Sequence, residues 1–324
     1  MTRQGGVLRA EARTTGERIA KVMARAGLCS RREAEAWVAA GRVAVNGRKI
    51  DSPALNVTPS DRIMVDDVAL PAQEPTRLWR LHKTRGTVTS RVDPEGRPVL
   101  FDKLPAEMPR VVSVGRLDIN TEGLLLLTND GHLSRALELP ATGWLRRYRV
   151  RVHGPLDPRM LDALREGVTV DGVRYGSVDA KVDWEQGTNS WLTLGLREGK
   201  NREIKRLLRH FELHVTRLIR VSFGPFQLGD LEAGSVEEVR PRVLRDQLGE
   251  KILKEHRITL PDSRADKPGA SGAVPKGGRA AAKRSKGAKG MTKAFSKPGA
   301  KPARRDGPPT LVREVVRARR RRPT

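Results

Sequence analysis

The chain has 324 residues, and 63 Lys and Arg against 38 Asp and Glu give a formal charge of +25. That excess makes a polyanion the expected partner, and the single Cys29 excludes both an internal disulfide scaffold and a cysteine-rich zinc module. No run approaches the roughly 18 apolar residues of a membrane span, and the first 17 residues lack the apolar stretch of a secretory signal, which predicts a soluble, cytoplasmic protein.

Length alone predicts about two domains. Residues 1–16 have no apolar periodicity and are expected to be disordered. From 17 to 70 a small unit is expected. Ile19, Val22, Met23 and Ala26 recur at helical spacing, and Gly27 ends that helix. Ser30 with Glu33 forms a capping-box pattern, so a second helix starts there, with Ala34, Trp37 and Val38 on its apolar face and Gly41 as its stop. Val43 and Val45 alternate into Asn46-Gly47, a hairpin signal, and Ile63 and Val65 read as a later strand. Arg18, Lys21 and Arg25 fall off the first helix's apolar stripe, while Arg31 and Arg32 sit in the first turn of the second. Guanidinium groups beside unpaired helix N-terminal amides suit phosphate; an ordinary solvated face has the same pattern.

The stretch Arg18-Ile19-Ala20-Lys21, the run Ala26 to Ala34, Gly41-Arg42-Val43 and Val45-Asn46-Gly47 together resemble the alpha-L RNA-binding motif first seen in a small-subunit ribosomal protein. The resemblance implies recognition of RNA by shape and phosphates. It also implies that Arg18, Lys21, Ser30, Arg31, Arg32 and Asn46 make the RNA contacts.

Residues 71–77 (PAQEPTR) read as a linker, and a larger unit is expected over 78–257. Val111, Val112 and Val114 suggest a short buried strand. Gly115 and Gly123 then frame a loop holding Arg116-Leu117-Asp118, and Leu124 to Leu127 lead to the turn Asn129-Asp130-Gly131. A glycine-framed loop between strands presents a reactive group well, although an Asp in a turn more often caps its own backbone. Farther on, Tyr148, Val150 and Val152 share one strand face, as do Leu192, Leu194 and Leu196. In the following helix Ile204, Leu207, Leu208 and Phe211 form an apolar stripe, with Arg202, Lys205, Arg206 and Arg209 as a basic stripe beside it. Residues 258–324 are expected to be a disordered basic tail; 262–324 carry a net +15 and suit loose attachment to nucleic acid.

The run Gly115-Arg116-Leu117-Asp118 through Thr121-Glu122-Gly123 to Asn129-Asp130-Gly131 resembles the signature of RNA pseudouridine synthases, in the branch of the ribosomal pseudouridine synthases A (small subunit) and B (large subunit). The stretch Glu198 to Arg206 and the run Arg217 to Phe226 agree with it, while Leu81-His82-Lys83-Thr84-Arg85-Gly86 departs where the family more often has Asn-Lys-Pro. The resemblance implies an α+β fold: a catalytic domain with a mixed, largely antiparallel sheet beside the small RNA-binding domain. It implies Asp118 as the essential catalytic residue, Tyr148 stacked on the target base and Lys205 as the cation beside Asp118. Arg116 would fill the space a flipped base vacates, with Lys200 and Arg202 as further RNA contacts. The Gly199-Lys200-Asn201-Arg202 form and the long basic tail resemble the synthases of the large ribosomal subunit. They imply 23S ribosomal RNA, free or in a precursor large subunit, modified by a monomer. The alternatives are 16S rRNA or a non-catalytic rRNA-binding protein of ribosome assembly.

Turning uridine into pseudouridine is an isomerisation, so the resemblance implies no cofactor and no metal. The remaining signals are weak. Residues 195–200 are one residue short of a phosphate loop, and His210 and His214 lack a third ligand.

Overall fold

The structure, a computed structural model, describes residues 16–139 and 142–261. The segments expected to be disordered lie outside those residues, apart from Gly16 and residues 258–261.

The first part comprises β1 (Glu17–Arg18), α1 (Ile19–Arg25), α2 (Arg31–Ala39), β2 (Val43–Val45), β3 (Arg48–Lys49), β4 (Asn56–Val57), β5 (Ile63–Val65) and β6 (Val68–Ala69). The sheet order is β3-β2-β5-β6, and β1 pairs with β4. Ile19, Met23, Ala34, Val38, Val43 and Val45 are buried together, as their spacing predicts. The turn after β2 has Asn46 at φ 52° and Gly47 at φ 78°. Both lie in the left-handed region that a two-residue hairpin turn requires.

Helix α2 starts as its sequence says. The Ser30 hydroxyl accepts from the Glu33 N–H at 3.1 Å, and Glu33 Oε2 accepts from the Ser30 N–H at 2.5 Å. Ser30→Ala therefore costs this unit about 1 kcal/mol; chemical denaturation followed by Trp37 fluorescence measures it.

The second part comprises β7 (Leu78–Lys83), β8 (Val112–Ser113), β9 (Glu122–Thr128), α3 (Gly131–Glu138), β10 (Arg146–His153), α4 (Pro158–Glu166), β11 (Thr169–Val170) and β12 (Val173–Arg174). It continues with β13 (Asp179–Gln186), β14 (Asn189–Leu196), α5 (Glu203–His210), β15 (His214–Phe223), β16 (Phe226–Gln227), β17 (Val236–Glu238) and α6 (Pro241–Glu255). The main sheet runs β13-β14-β10-β15-β9-β7-β17, with β16 on β15 and β8 on β9. Among the described residues its one parallel pair is β15 with β9, so the sheet is mixed and largely antiparallel, as expected.

Strand β9 explains its own run of leucines. Leu124 and Leu126 pack with α3 and α6, while Leu125 and Leu127 pack on the other face with Trp79, Leu81 and Leu117. A strand covered on both faces needs no polar alternation. Gly123 sits where β9 meets β15: a Cβ there would lie 2.3 Å from the Arg220 carbonyl oxygen, and φ is +100°. A second core lies under β10, β13, β14 and β15, closed by α4 and α5.

Three details differ from the sequence expectations. Val112 is exposed, while its neighbours Val111 and Val114 are buried, because β8 is an edge strand with one face in solvent. Thr76 and Arg77, placed in the linker, are part of the larger packed unit: buried Thr76 donates to Asp130 at 2.7 Å, and Arg77 pairs with Glu238. That unit also runs past residue 257. Ile258 is buried beside α6, and the Thr259 carbonyl accepts from the Thr76 N–H at 2.7 Å. Apolar packing after a helix leaves no turn signal to mark the boundary. Among the described residues, no helix is long and apolar enough to cross a membrane.

Candidate active site

A cavity of about 510 Å³ opens between the Asp118 loop, β10, β15 and the start of α5. Its walls include Arg116, Asp118, Tyr148, Lys200, Arg202 and Lys205, six residues drawn from three separate stretches of sequence. Volumes of this order suit a nucleotide-sized ligand.

Asp118 stands in a loop that is held from below by backbone contacts. The Lys83 ammonium, completely buried, donates to the carbonyls of Thr84 (3.1 Å), Asp118 (3.2 Å), Ile119 (3.4 Å) and Thr121 (3.0 Å). Thr89 donates its hydroxyl to the Leu117 carbonyl at 2.9 Å, and the Gly86 N–H donates to the Ile119 carbonyl at 2.8 Å. Leu117 is buried, which turns the neighbouring Asp118 toward the cavity. Thr84 thus supplies one of the four carbonyls around Lys83.

Lys83 was not singled out from the sequence. The signal was the alternation of β7, which places Lys83 on the face of buried Trp79 and Leu81. Burial pulls its ammonium down to about 8, against the raising effect of Asp118 and Glu122. The protein therefore holds it charged at neutral pH and loses that charge as pH rises through about 8, well before a free lysine would. Lys83→Met removes the ammonium that ties these four carbonyls together and should cost about 2–3 kcal/mol. Thermal unfolding tests this, and turnover should fall with it because the Asp118 loop loses its support.

The Asp118 side chain meets Lys205: Nζ donates to Oδ2 at 3.2 Å. The Asp118 side chain is 33% exposed and that of Lys205 19%, so the pair sits on the cavity wall and its attraction is partly screened. Lys205 reaches it because α5 buries Ile204, Leu207 and Leu208 and so presents residue 205 to the cavity. Tyr148 is half-buried and lines the same cavity, packed between the two cores. Leu196, Ile204, Leu218 and Phe223 add apolar wall. Arg116 is exposed at the rim. Lys200 is tied locally to Glu198, to the Arg174 carbonyl at 2.7 Å and over the Tyr175 ring at 5.3 Å.

Three buried charged residues of the wall were also missed: Arg146, Glu203 and Arg220. Arg220 donates Nε to the Leu124 carbonyl at 2.7 Å. Each lies on an inward strand or helix position, where a charged residue is the sign to look for.

The alpha-L residues lie elsewhere and do not line this cavity. Arg18, Arg31 and Arg32 are exposed. Ser30 is used as the cap described above. Lys21 and Arg25 both pair with Glu17, which also meets the His132 ring of α3 at 2.8 Å. The Asn46 amide donates to Asp61 at 2.7 Å, and its carbonyl accepts from the Arg62 N–H at 2.8 Å. Lys21 and Asn46 thus have structural partners that spacing alone did not show. His210 closes α5 and His214 opens β15. Among the described residues, no group of three or more His, Cys, Asp or Glu is placed to hold a metal.

Residues 17–63 match the S4 domain family model, and residues 77–210 match that of RNA pseudouridylate synthase. An uncharacterized RNA pseudouridine synthase of Rickettsia felis is 41% identical over 228 residues, covering 70% of this chain and 99% of the relative. Ribosomal large subunit pseudouridine synthase B of Shigella flexneri is 40% identical over 218 residues, 65% of this chain and 75% of the relative. Among solved structures, a pseudouridylate synthase crystal structure is 25% identical with a TM-score of 0.51, covering 72% of this chain and all of the other.

Proposed function

Because this chain belongs to the RNA pseudouridine synthase family, we propose that it converts one uridine of 23S ribosomal RNA to pseudouridine, using the Asp118 carboxylate on a flipped-out base. The observation that carries this reading is the convergence of Asp118, Lys205 and Tyr148 on one nucleotide-sized cavity, with Lys205 3.2 Å from the carboxylate.

The reaction breaks the bond from C1′ to N1, turns the base and joins C1′ to C5. N1 gains a proton and C5 loses one, so nothing is consumed. Asp118 can act by attacking C1′, by adding to the ring, or by removing a sugar proton. Each route starts from the carboxylate, and the Lys205 ammonium stands 3.2 Å from it. Tyr148 offers a ring for the base to stack on, and Arg116 at the rim fills the gap in the RNA. Unstacking costs a few kcal/mol; stacking on Tyr148 and the apolar wall offsets it.

Residues 17–70 act as the RNA-binding unit, with Arg18, Arg31 and Arg32 on phosphates; Lys200 and Arg202 extend those contacts to the cavity rim. Residues 78–257, extended to 76–261, act as the catalytic unit. The chain works in the cytoplasm as a monomer, on free rRNA or a precursor large subunit. The relative named for the large ribosomal subunit supports 23S over 16S rRNA.

The test is a map of pseudouridines in both rRNAs from a strain lacking this gene. One 23S position should revert to uridine and be restored by the wild-type chain. Loss confined to 16S rRNA, or no loss at all, overturns the assignment.

A further inference from the structure

Glu203 stands two residues ahead of Lys205, at the start of α5, and is only 5% exposed although it is a carboxylic acid. Its Oε2 accepts from the Lys200 N–H at 3.0 Å, while Oε1 has no hydrogen-bond partner among the described residues. Lys200 belongs to the turn 198–202, which lines the cavity and passes through Arg202 at φ 52° just before the helix begins. A non-glycine residue in that region costs about 1 kcal/mol and persists only where its surroundings hold it.

Arg146 holds the other end of this turn. Its Nη1 donates to the Arg197 carbonyl at 2.8 Å and the Trp144 carbonyl at 3.2 Å, and its guanidinium lies 4.7 Å from the centre of the Phe223 ring. Arg146 is 9% exposed and sits two residues before Tyr148, on the same side of β10. The turn is therefore clamped by two buried charged side chains. One comes from the strand that bears Tyr148, the other from the helix that bears Lys205.

We propose that Glu203 and Arg146 are positioning residues for the isomerisation: through the 198–202 turn they lock the first turn of α5 to β10, and so set the approach of Lys205 to Asp118. The inference rests on the reading of Asp118 and Lys205 as the reacting centre. Neither Glu203 nor Arg146 needs to touch RNA for this role. Both act through backbone groups of the turn.

Charge gives the clamp a pH dependence. Burial pushes the Glu203 carboxyl up to about 7, helped by the Glu198 charge and opposed by the Lys200 N–H, the Lys200 ammonium and Arg146. Arg220 of β15 lies beside Arg146 and adds positive charge on that side. The carboxyl is protonated below about pH 7 and ionises above it. Its value in the folded chain is raised, so the stability it contributes is present at low pH and is lost as pH rises through about 7. Glutamine keeps the acceptor for Lys200 and never ionises.

The experiment compares the full chain with Glu203→Gln, Glu203→Ala, Arg146→Met and Asp118→Asn. Tritium release from unmodified 23S and 16S transcripts carrying 5-tritiated uridine is followed across pH 6 to 9. Glu203→Ala and Arg146→Met should each lower kcat by about 10²-fold while KM stays within about threefold, as expected for a misplaced reacting group. Glu203→Gln should keep most of the activity at pH 6.5 and escape the wild-type decline around pH 7, while both proteins decline above about pH 8 as Lys83 loses its charge. The proposal is overturned by wild-type kcat in Glu203→Ala, by a change in KM alone, or by Glu203→Gln being as slow as Glu203→Ala. Should Glu203→Ala fail to fold, Arg146→Met decides: wild-type kcat in that variant overturns the proposal. Asp118→Asn keeps the two readings apart. Turnover in that variant defeats the assignment of the reacting carboxylate, whereas a dead Asp118→Asn beside a normal Glu203→Ala defeats only the clamp.

Discussion

Asp118→Asn should abolish pseudouridine formation, by about 10⁴-fold or more, while RNA affinity stays within a few fold. The amide has nearly the shape of the carboxylate, and the Lys83 contacts that hold the loop go to backbone carbonyls, so the fold is unaffected. What is lost is a charged oxygen able to attack or to take a proton. Binding draws on many cations along the RNA, and removing one anion changes it little. Tritium release and filter binding on the same transcripts read the two effects separately. Substantial residual turnover would sink the role assigned to Asp118.

The second large effect is expected at Lys205. Lys205→Met removes the ammonium 3.2 Å from the Asp118 carboxylate and puts an apolar chain in its place. Removing one preorganised charge from an active site typically costs about 10²–10³-fold in kcat, and this pair is only partly screened. Lys205→Arg should recover much of the loss, because a guanidinium also reaches a carboxylate and is always charged. Retention of RNA by all three proteins shows that the loss lies in chemistry. A Met variant with wild-type kcat would place Lys205 with Arg206 and Arg209 on the solvated stripe.

Some of the site was readable from short-range pattern. The capping box at Ser30 and the hairpin at Asn46-Gly47 have the conformations their residues demand, because each is decided within a few positions. The stripe Ile204, Leu207 and Leu208 fixed which side of α5 is buried, and hence that Lys205 faces out of the core. The link from Asp118 to Tyr148 and Lys205 came from family resemblance. The three residues are distant in sequence, and no periodicity connects them.

Composition and periodicity determined by themselves that this is a basic chain of mixed helices and strands, where several of those elements begin, and that two glycines frame the loop holding Asp118; the resemblance singled out Asp118 within it. Tertiary structure alone decided which polar groups are spent inside the protein. Lys21, expected on phosphate, also pairs with Glu17, and Asn46 also spans Asp61 and Arg62. Conversely, Lys83, Arg146 and Glu203 attracted no notice in the sequence, yet they are buried around the cavity and its loops. The physical reason is that a polar side chain's role depends on which donors and acceptors the fold brings within about 3 Å of it. Many of those partners here lie dozens of residues away, beyond the reach of any local pattern.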